Sequence, residues 1–130
     1  MTRQENYESD VLFFFDGRPL ELSLYQALFQ QMEKLFPEAT VKVQKSQISF
    51  YSRYLFAAVS LPVRRRGDWP EHCVVVTMGL ARRLDSPRVA AAAEPYPGRW
   101  TNHVLLSGEE QMDSELMGWL REARDFARTK

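Results

Sequence analysis

The sequence has few of the residues that build covalent or metal-bound sites. It contains one cysteine, Cys73, and two histidines, His72 and His103. A single cysteine excludes an intramolecular disulfide, and the valines that follow it predict a small buried thiol. Because His72 and Cys73 are adjacent, a strand would point them to opposite faces. We therefore expect no metal site and no other cofactor.

Long apolar runs and targeting signals are also missing. The apolar run at 11–15 is far shorter than the roughly 20 residues needed to cross a bilayer. Residues 1–10 are polar and acidic, and they lack the basic and apolar regions of a signal peptide. We therefore expect a cytoplasmic protein with no membrane partner.

Catalytic signatures are absent as well. The chain has no Gly-x-Ser-x-Gly elbow, no glycine-rich phosphate loop and no His-Glu-x-x-His pair. We assign no catalytic residue, and this favours a protein that is not an enzyme. A hydrolase or transferase that uses His103 stays as an alternative.

The charge is zero in total but unevenly distributed along the chain. Residues 1–36 carry a balance of −3, residues 37–107 a balance of +5, and residues 108–130 a balance of −2. A basic middle region, which includes the arginine cluster at 64–66, favours an anionic ligand. Nucleic acid is one such ligand, although runs of charge are often only solvated surface.

The periodicity of the apolar residues predicts an α+β fold. Residues 19–36 have a helical stripe that begins near Pro19 and ends before Pro37. Strands with alternating or continuous apolar residues follow at 40–44, 48–51, 55–61, 73–80 and 102–106, and 88–93 is a weaker sixth candidate.

The closing segment predicts a second helix over 108–128. Ser107 and Glu110 have the spacing of a capping box, and an apolar stripe follows from Met112. We therefore expect one domain over 1–130, with 1–8 disordered. Its architecture would be a two-layer, mainly antiparallel sheet of about five strands, with the N-terminal and C-terminal helices on one face.

Several short motifs occur in an order that resembles a known family. They lie at 45–50, 56–57, 84–88, 99–104 and Asp113. The ordered set, covering about 13–127, is similar to the bacterial and archaeal family called domain of unknown function 5655. The resemblance implies a compact α+β domain and no established activity. Members often have two successive histidines where this chain has Asn102 and His103, which weakens the case for catalysis by a histidine pair.

Two polar, aromatic segments, at 44–51 and 96–103, predict the functional surface. We expect one ligand-binding surface formed by six residues: Lys45, Gln47, Tyr96, Arg99, Trp100 and His103. The leading hypothesis is a binding module for a small anion or for an extended acidic or nucleic-acid segment. The alternative is a protein-interaction domain that forms a homodimer or recruits a partner. We expect the chain to be a monomer or a homodimer. A separation of Lys45 from Arg99 beyond about 20 Å would rule out a shared small anion.

Overall fold

The computed structural model describes residues 1–63 and 66–130, so Arg64 and Arg65 of the basic cluster lie outside the described residues. The three α-helices are α1 (Tyr7–Phe14), α2 (Pro19–Leu35) and α3 (Ser114–Ala127), and a 3-10 turn spans Glu109–Gln111. The strands are β1 (Thr2–Arg3), β2 (Thr40–Val43), β3 (Ile48–Ser52), β4 (Tyr54–Ser60), β5 (Val74–Leu80), β6 (Val89–Tyr96) and β7 (Arg99–Leu106).

These strands form one mixed sheet with the order β1-β2-β3-β4-β5-β7-β6. Every neighbouring pair is antiparallel except β1 and β2, which are parallel. The α+β prediction is confirmed, whereas the expectation of about five strands is wrong. β1 has only two residues and so shows no period, and the alanines of β6 gave a weak strand signal.

The helices cover one face of the sheet, which we call the helix face. A row of apolar residues crosses this face from strand to strand through the pairing register: Val43, Ile48, Val59, Val76, Val104 and Val89. Helix residues such as Leu28 and Leu120 belong to the same core. α2 and α3 each bury an apolar stripe against the sheet, as the periodicity predicted. Neither helix could shield its stripe from water alone.

A connection over residues 81–88 completes the cover of the helix face. It links β5 to β6, passing the intervening strand β7. Leu84 is buried in the core, and its N–H donates to Oδ1 of Asn102 at 2.9 Å. Nδ2 of Asn102 donates in turn to the carbonyl of Arg82 at 3.1 Å. The fully buried Asn102 side chain therefore fastens this connection to β7.

The two ends of the chain depart from the prediction. Residues 1–8, expected to be disordered, contain β1 and the start of α1, and the N–H of Thr2 donates to the carbonyl of Ala39 at 2.9 Å. The last helix begins at Ser114, not near residue 108, because Asp113 is its N-cap and accepts from the N–H of Leu116. The capping box predicted at Ser107 does not form a helix start.

Candidate functional site

The second face of the sheet, which we call the open face, lies opposite the helices. The strand register places a row of paired residues across this face, on the opposite side from the apolar row of the helix face. Its members are Lys42, Ser49, Ala58, Thr77, His103 and Ala91. Ser49 and Ala58 are buried by their neighbours, Thr77 and His103 are half-buried, and Lys42 is exposed. The row crosses six strands, and its members other than Lys42 and His103 are small, so they form a low floor.

The floor continues toward the turn between β6 and β7. Gly79 pairs with Thr101, which pairs with Ala93, and Arg99 lies opposite Tyr96 at the end of the hairpin. Because side chains alternate along a strand, Arg99 and His103 of β7 share the open face. A Cβ added to Gly79 would meet nothing within 4 Å, which fits a shallow surface at this point.

Arg99 presents an unpaired guanidinium at the open face. It is exposed, and it has no ion pair, hydrogen bond or ring stack with any residue in 1–63 or 66–130. By contrast, Arg82, Arg88 and Arg124 each bind carboxylates. Arg99 forms no stack on Tyr96 or Trp100, and its guanidinium is available to an outside anion.

The strands carry very little negative charge. Glu94 is the only carboxylate in β1–β7, and its Oε2 accepts from the N–H of Gly98 in the adjacent turn at 3.1 Å. Lys42, Arg99 and His103 lie on the open face without an acidic residue in its register positions. The local electrostatic field there favours an anion over a cation.

His103 is held by a neighbour on β5. Its Nδ1 lies 2.9 Å from Oγ1 of Thr77, the residue that it pairs with in the sheet. Burial lowers the pKa of His103 below its ordinary value of 6.5. The imidazole is therefore neutral near pH 7, where it can donate or accept a hydrogen bond but adds no positive charge.

Gln47 belongs to a side-chain cluster at the other edge of the open face. Its Nε2 donates to Oγ of Ser49 at 2.8 Å, and Ser49 donates to Oε1 of Gln44. The two amides thereby cover Ser49. Gln47 therefore stabilises the β2–β3 turn through its bond to Ser49. That Gln47 also binds a ligand stays a prediction.

The structure does not bring Lys45 and Arg99 together. Lys45 lies in the β2–β3 turn and Arg99 follows the β6–β7 turn, and these turns are at opposite ends of the strands. Four strand spacings of about 4.8 Å also separate β2 from β7, so the two residues are more than about 20 Å apart. One small anion cannot contact both.

Trp100 lies away from the open face, and the motif residues Arg88 and Asp113 form a structural contact. Trp100 pairs with Leu80 in register with the core residues, so it belongs to the helix face and is half-buried. Arg88 donates to Asp113 and Glu115 and lies 5.5 Å from the ring centroid of Trp119. This cluster joins β6 to the start of α3.

One polar pair was not predicted from the sequence. Glu21, 1% exposed in the first turn of α2, has Oε2 3.2 Å from Nδ1 of the half-exposed His72. Its Oε1 has no hydrogen-bond partner among the described residues. The pair consists of residues far apart in sequence, so no local spacing could have revealed it.

Neither a metal centre nor a membrane span is found in the described part of the chain. Its histidine, cysteine and acidic side chains include no group of three or more that could hold a metal ion. Among the same residues, no helix is both long and apolar enough to cross a bilayer.

The fold and the open face define a small two-layer α+β domain with one sheet surface left bare by its own helices. The chain belongs to the family described as Domain of unknown function (DUF5655), whose model matches residues 14–127. The curated proteins searched contain no match to the chain. The solved structures searched likewise contain none. The family match covers β2–β7, α2 and α3, and it leaves β1 and most of α1 outside.

Proposed function

We propose that this protein is a non-enzymatic binding module whose open face holds an extended anionic segment. The observation that carries the proposal is the unpaired guanidinium of Arg99 on a face that has no carboxylate in its register positions. A charge-assisted hydrogen bond from such a group to a phosphate or carboxylate contributes about 1.5–3 kcal/mol.

The shape of the face favours an extended ligand over a compact one. Its two permanent cations, Lys42 and Arg99, lie on β2 and β7, which are about 19 Å apart across the sheet. The low floor of Thr77, Gly79 and Thr101 lies between them. A chain with regularly spaced charges can contact both cations, whereas a single small anion cannot.

Aromatic rings at the two ends favour single-stranded nucleic acid among such ligands. Tyr96 is 66% exposed beside Arg99. Tyr51 is half-buried on β3 and lies under Nζ of Lys42, which is 5.0 Å from its ring centroid. Open sheet faces that combine cations with aromatic side chains bind unstacked bases in several RNA-binding folds.

The test is the binding of a labelled oligothymidine of about twelve nucleotides, followed by fluorescence anisotropy at several salt concentrations. Arg99→Ala should weaken binding roughly tenfold and reduce the slope of log K against log salt by about 0.7, the loss of one phosphate contact. Arg121→Ala, which removes an exposed arginine from α3, is the control and should change neither quantity.

Gly79→Val tests the floor separately from the charge. The new side chain meets open space in the free protein, so stability should be kept, but it would stand where the ligand lies. Unchanged affinity in both Arg99→Ala and Gly79→Val would contradict the proposal. Stronger binding of polyglutamate than of oligothymidine would identify an acidic peptide as the ligand.

A second candidate function is self-association through β6. This strand is an eight-residue sheet edge, contains four alanines and carries no lysine or arginine. Glu94 and Pro95 protect the C-terminal end of this edge, whereas the alanines at 90–93 leave the rest of it able to pair with another strand. Light scattering should then give a mass that rises toward a dimer with concentration, and Ala93→Lys should return it to the monomer. A constant monomer mass would reject this candidate.

A further inference from the structure

A groove between α1 and α2 lies away from the open face. It has a volume of about 570 Å³ and includes the buried aromatic residues Tyr7, Tyr25 and Phe29 in its wall. Glu8 and Glu33 add two carboxylates, and Arg3 is the only basic residue that lines it. The lining is therefore aromatic with a net negative charge.

The guanidinium of Arg3 occupies this aromatic and acidic setting. Its carbon lies 5.3 Å from the ring centroid of Tyr7 and 4.9 Å from that of Phe29, and Nη2 donates to Oε2 of Glu33 at 2.6 Å. A cation over two ring faces and beside a carboxylate is the arrangement by which proteins recognise guanidinium and ammonium groups. We call Tyr7, Phe29 and Glu33 the cation cage.

The walls of the cage are held by contacts that do not involve Arg3. The hydroxyls of Tyr7 and Tyr25 are hydrogen-bonded at 2.6 Å, and burial raises the pKa of Tyr7 to about 12. The rings of Tyr7 and Phe29 are 5.3 Å apart, and the ring of Phe29 in turn contacts that of Phe50 in the sheet. The cage can therefore keep its shape when its occupant leaves.

Two other arginines make similar contacts but are fixed more firmly. Arg88 lies over Trp119 and Arg124 over Phe36, and their side chains are 20% and 17% exposed. The Arg3 side chain is 37% exposed and comes from a strand of only two residues. Of these three arginines, Arg3 is therefore the one that an outside cation can replace with the smallest loss of free energy.

We propose that the cation cage is a recognition site for an arginine side chain of an extended partner peptide, and that Arg3 is its intramolecular occupant. The partner segment replaces Thr2 and Arg3 beside β2, where the parallel pairing covers only Thr40 and Val41. The net negative lining supplies the charge complementarity for such a peptide. This inference does not depend on the function proposed for the open face.

The experiment uses the full chain and ethylguanidinium chloride as the probe, with sodium chloride at the same ionic strength as the blank. Binding is followed by amide chemical shifts in NMR. Arg3→Ala opens the cage and should bind the probe at least tenfold more tightly than the wild type, with shifts centred on Tyr7, Phe29 and Glu33. The double variant Arg3→Ala, Glu33→Gln should lose most of this gain.

Arg82→Ala is the matched control, because it frees Glu122 from a similar ion pair at a position where no ring stack with Arg82 is formed. It should not acquire probe binding. Equal probe affinity in Arg3→Ala and the wild type, or equal gains in Arg3→Ala and Arg82→Ala, would overturn the proposal. Loss of α1 packing in Arg3→Ala would overturn it too, since a cage that needs Arg3 for its walls cannot exchange its occupant.

Discussion

At the scale of single residues, Asn102 shows how a family motif position can be structural. Its side chain satisfies the N–H of Leu84 and the carbonyl of Arg82 and is fully buried. Sequence alone placed it beside His103 and gave no sign of its structural role. The strand register separates them, because Asn102 faces the helices and His103 faces the open side.

Asn102→Ala should therefore cost stability rather than function. Removal of the side chain leaves the buried N–H of Leu84 and the part-buried carbonyl of Arg82 without this partner, and we expect a loss of about 2–4 kcal/mol in the free energy of unfolding. Urea denaturation measures this loss. Thr101→Ala, one residue earlier on the open face, is the control and should cost less than about 1 kcal/mol. Equal effects of the two changes would contradict the assignment.

Arg99 shows the opposite case at the same scale. The sequence predicted a ligand-binding arginine but could not distinguish it from one that stacks on Trp100 or Tyr96. That distinction depends on side-chain partners, which become visible only when the register of β6 and β7 is known. Among the arginines with structural partners, Arg88 binds Asp113, 25 positions away, and Arg124 binds Glu38, 86 positions away, as well as the adjacent Asp125.

At the scale of elements, the two longer helices were predictable and the shorter one was not. α2 and α3 have apolar stripes that extend over several turns. α1 presents a run of apolar residues at 11–15, which hides its period. A signal was nevertheless present, because the buried residues Tyr7, Val11 and Phe15 are each four positions apart.

The start of α3 gives a test of helix capping. Asp113 accepts from the N–H of Leu116 at 2.9 Å, and this bond, followed by the contact with Arg88, lowers the pKa of Asp113. Asp113→Ala should destabilise the protein by about 1 kcal/mol, whereas Asp113→Asn should keep most of the cap. The comparison is made by thermal unfolding.

Ser107→Ala distinguishes the observed cap from the one that the sequence favoured. Ser107 lies before the 3-10 turn, and its N–H donates to Oε1 of Gln111 rather than starting the helix. The serine hydroxyl is therefore dispensable as a cap. A greater loss of stability from Ser107→Ala than from Asp113→Ala would show that the helix starts earlier.

At the scale of the whole molecule, His103 links stability to pH. The folded protein lowers the pKa of this histidine below 6.5, so the unfolded chain takes up the proton first as the pH falls. The stability is therefore highest above the unfolded value and decreases as the pH drops through 6.5 toward the folded value. No further loss from this group follows below the folded value.

Urea midpoints measured between pH 8 and pH 5 check this linkage. His103→Gln should flatten the part of the profile just below the ordinary histidine value, because glutamine can still bond Thr77 but does not titrate. His72→Gln, which leaves His103 in place, should keep that slope. An unchanged profile in His103→Gln would assign the pH dependence to other groups.

The layer structure of the molecule could be predicted from the sequence, but the arrangement of its surface could not. Helical and strand periods give two layers and one buried face. They do not show that β7 lies between β5 and β6, and this order decides which residues share the open face. We expected Lys45 and Arg99 to share one ligand-binding surface because each precedes a predicted strand. The turns that hold them lie at opposite ends of the sheet.

The contacts around Glu38 and Ala39 have a further consequence. The N–H of Thr2 binds the carbonyl of Ala39, and Nη2 of Arg128 lies 3.8 Å from Oε1 of Glu38. Thr2 and Arg128 therefore contact two adjacent positions of the chain. A short flexible bridge would close the chain into a ring, and the ring could be cut at the Pro97–Gly98 turn without removing a strand pair. We expect such a permuted chain to keep the strand order β1-β2-β3-β4-β5-β7-β6.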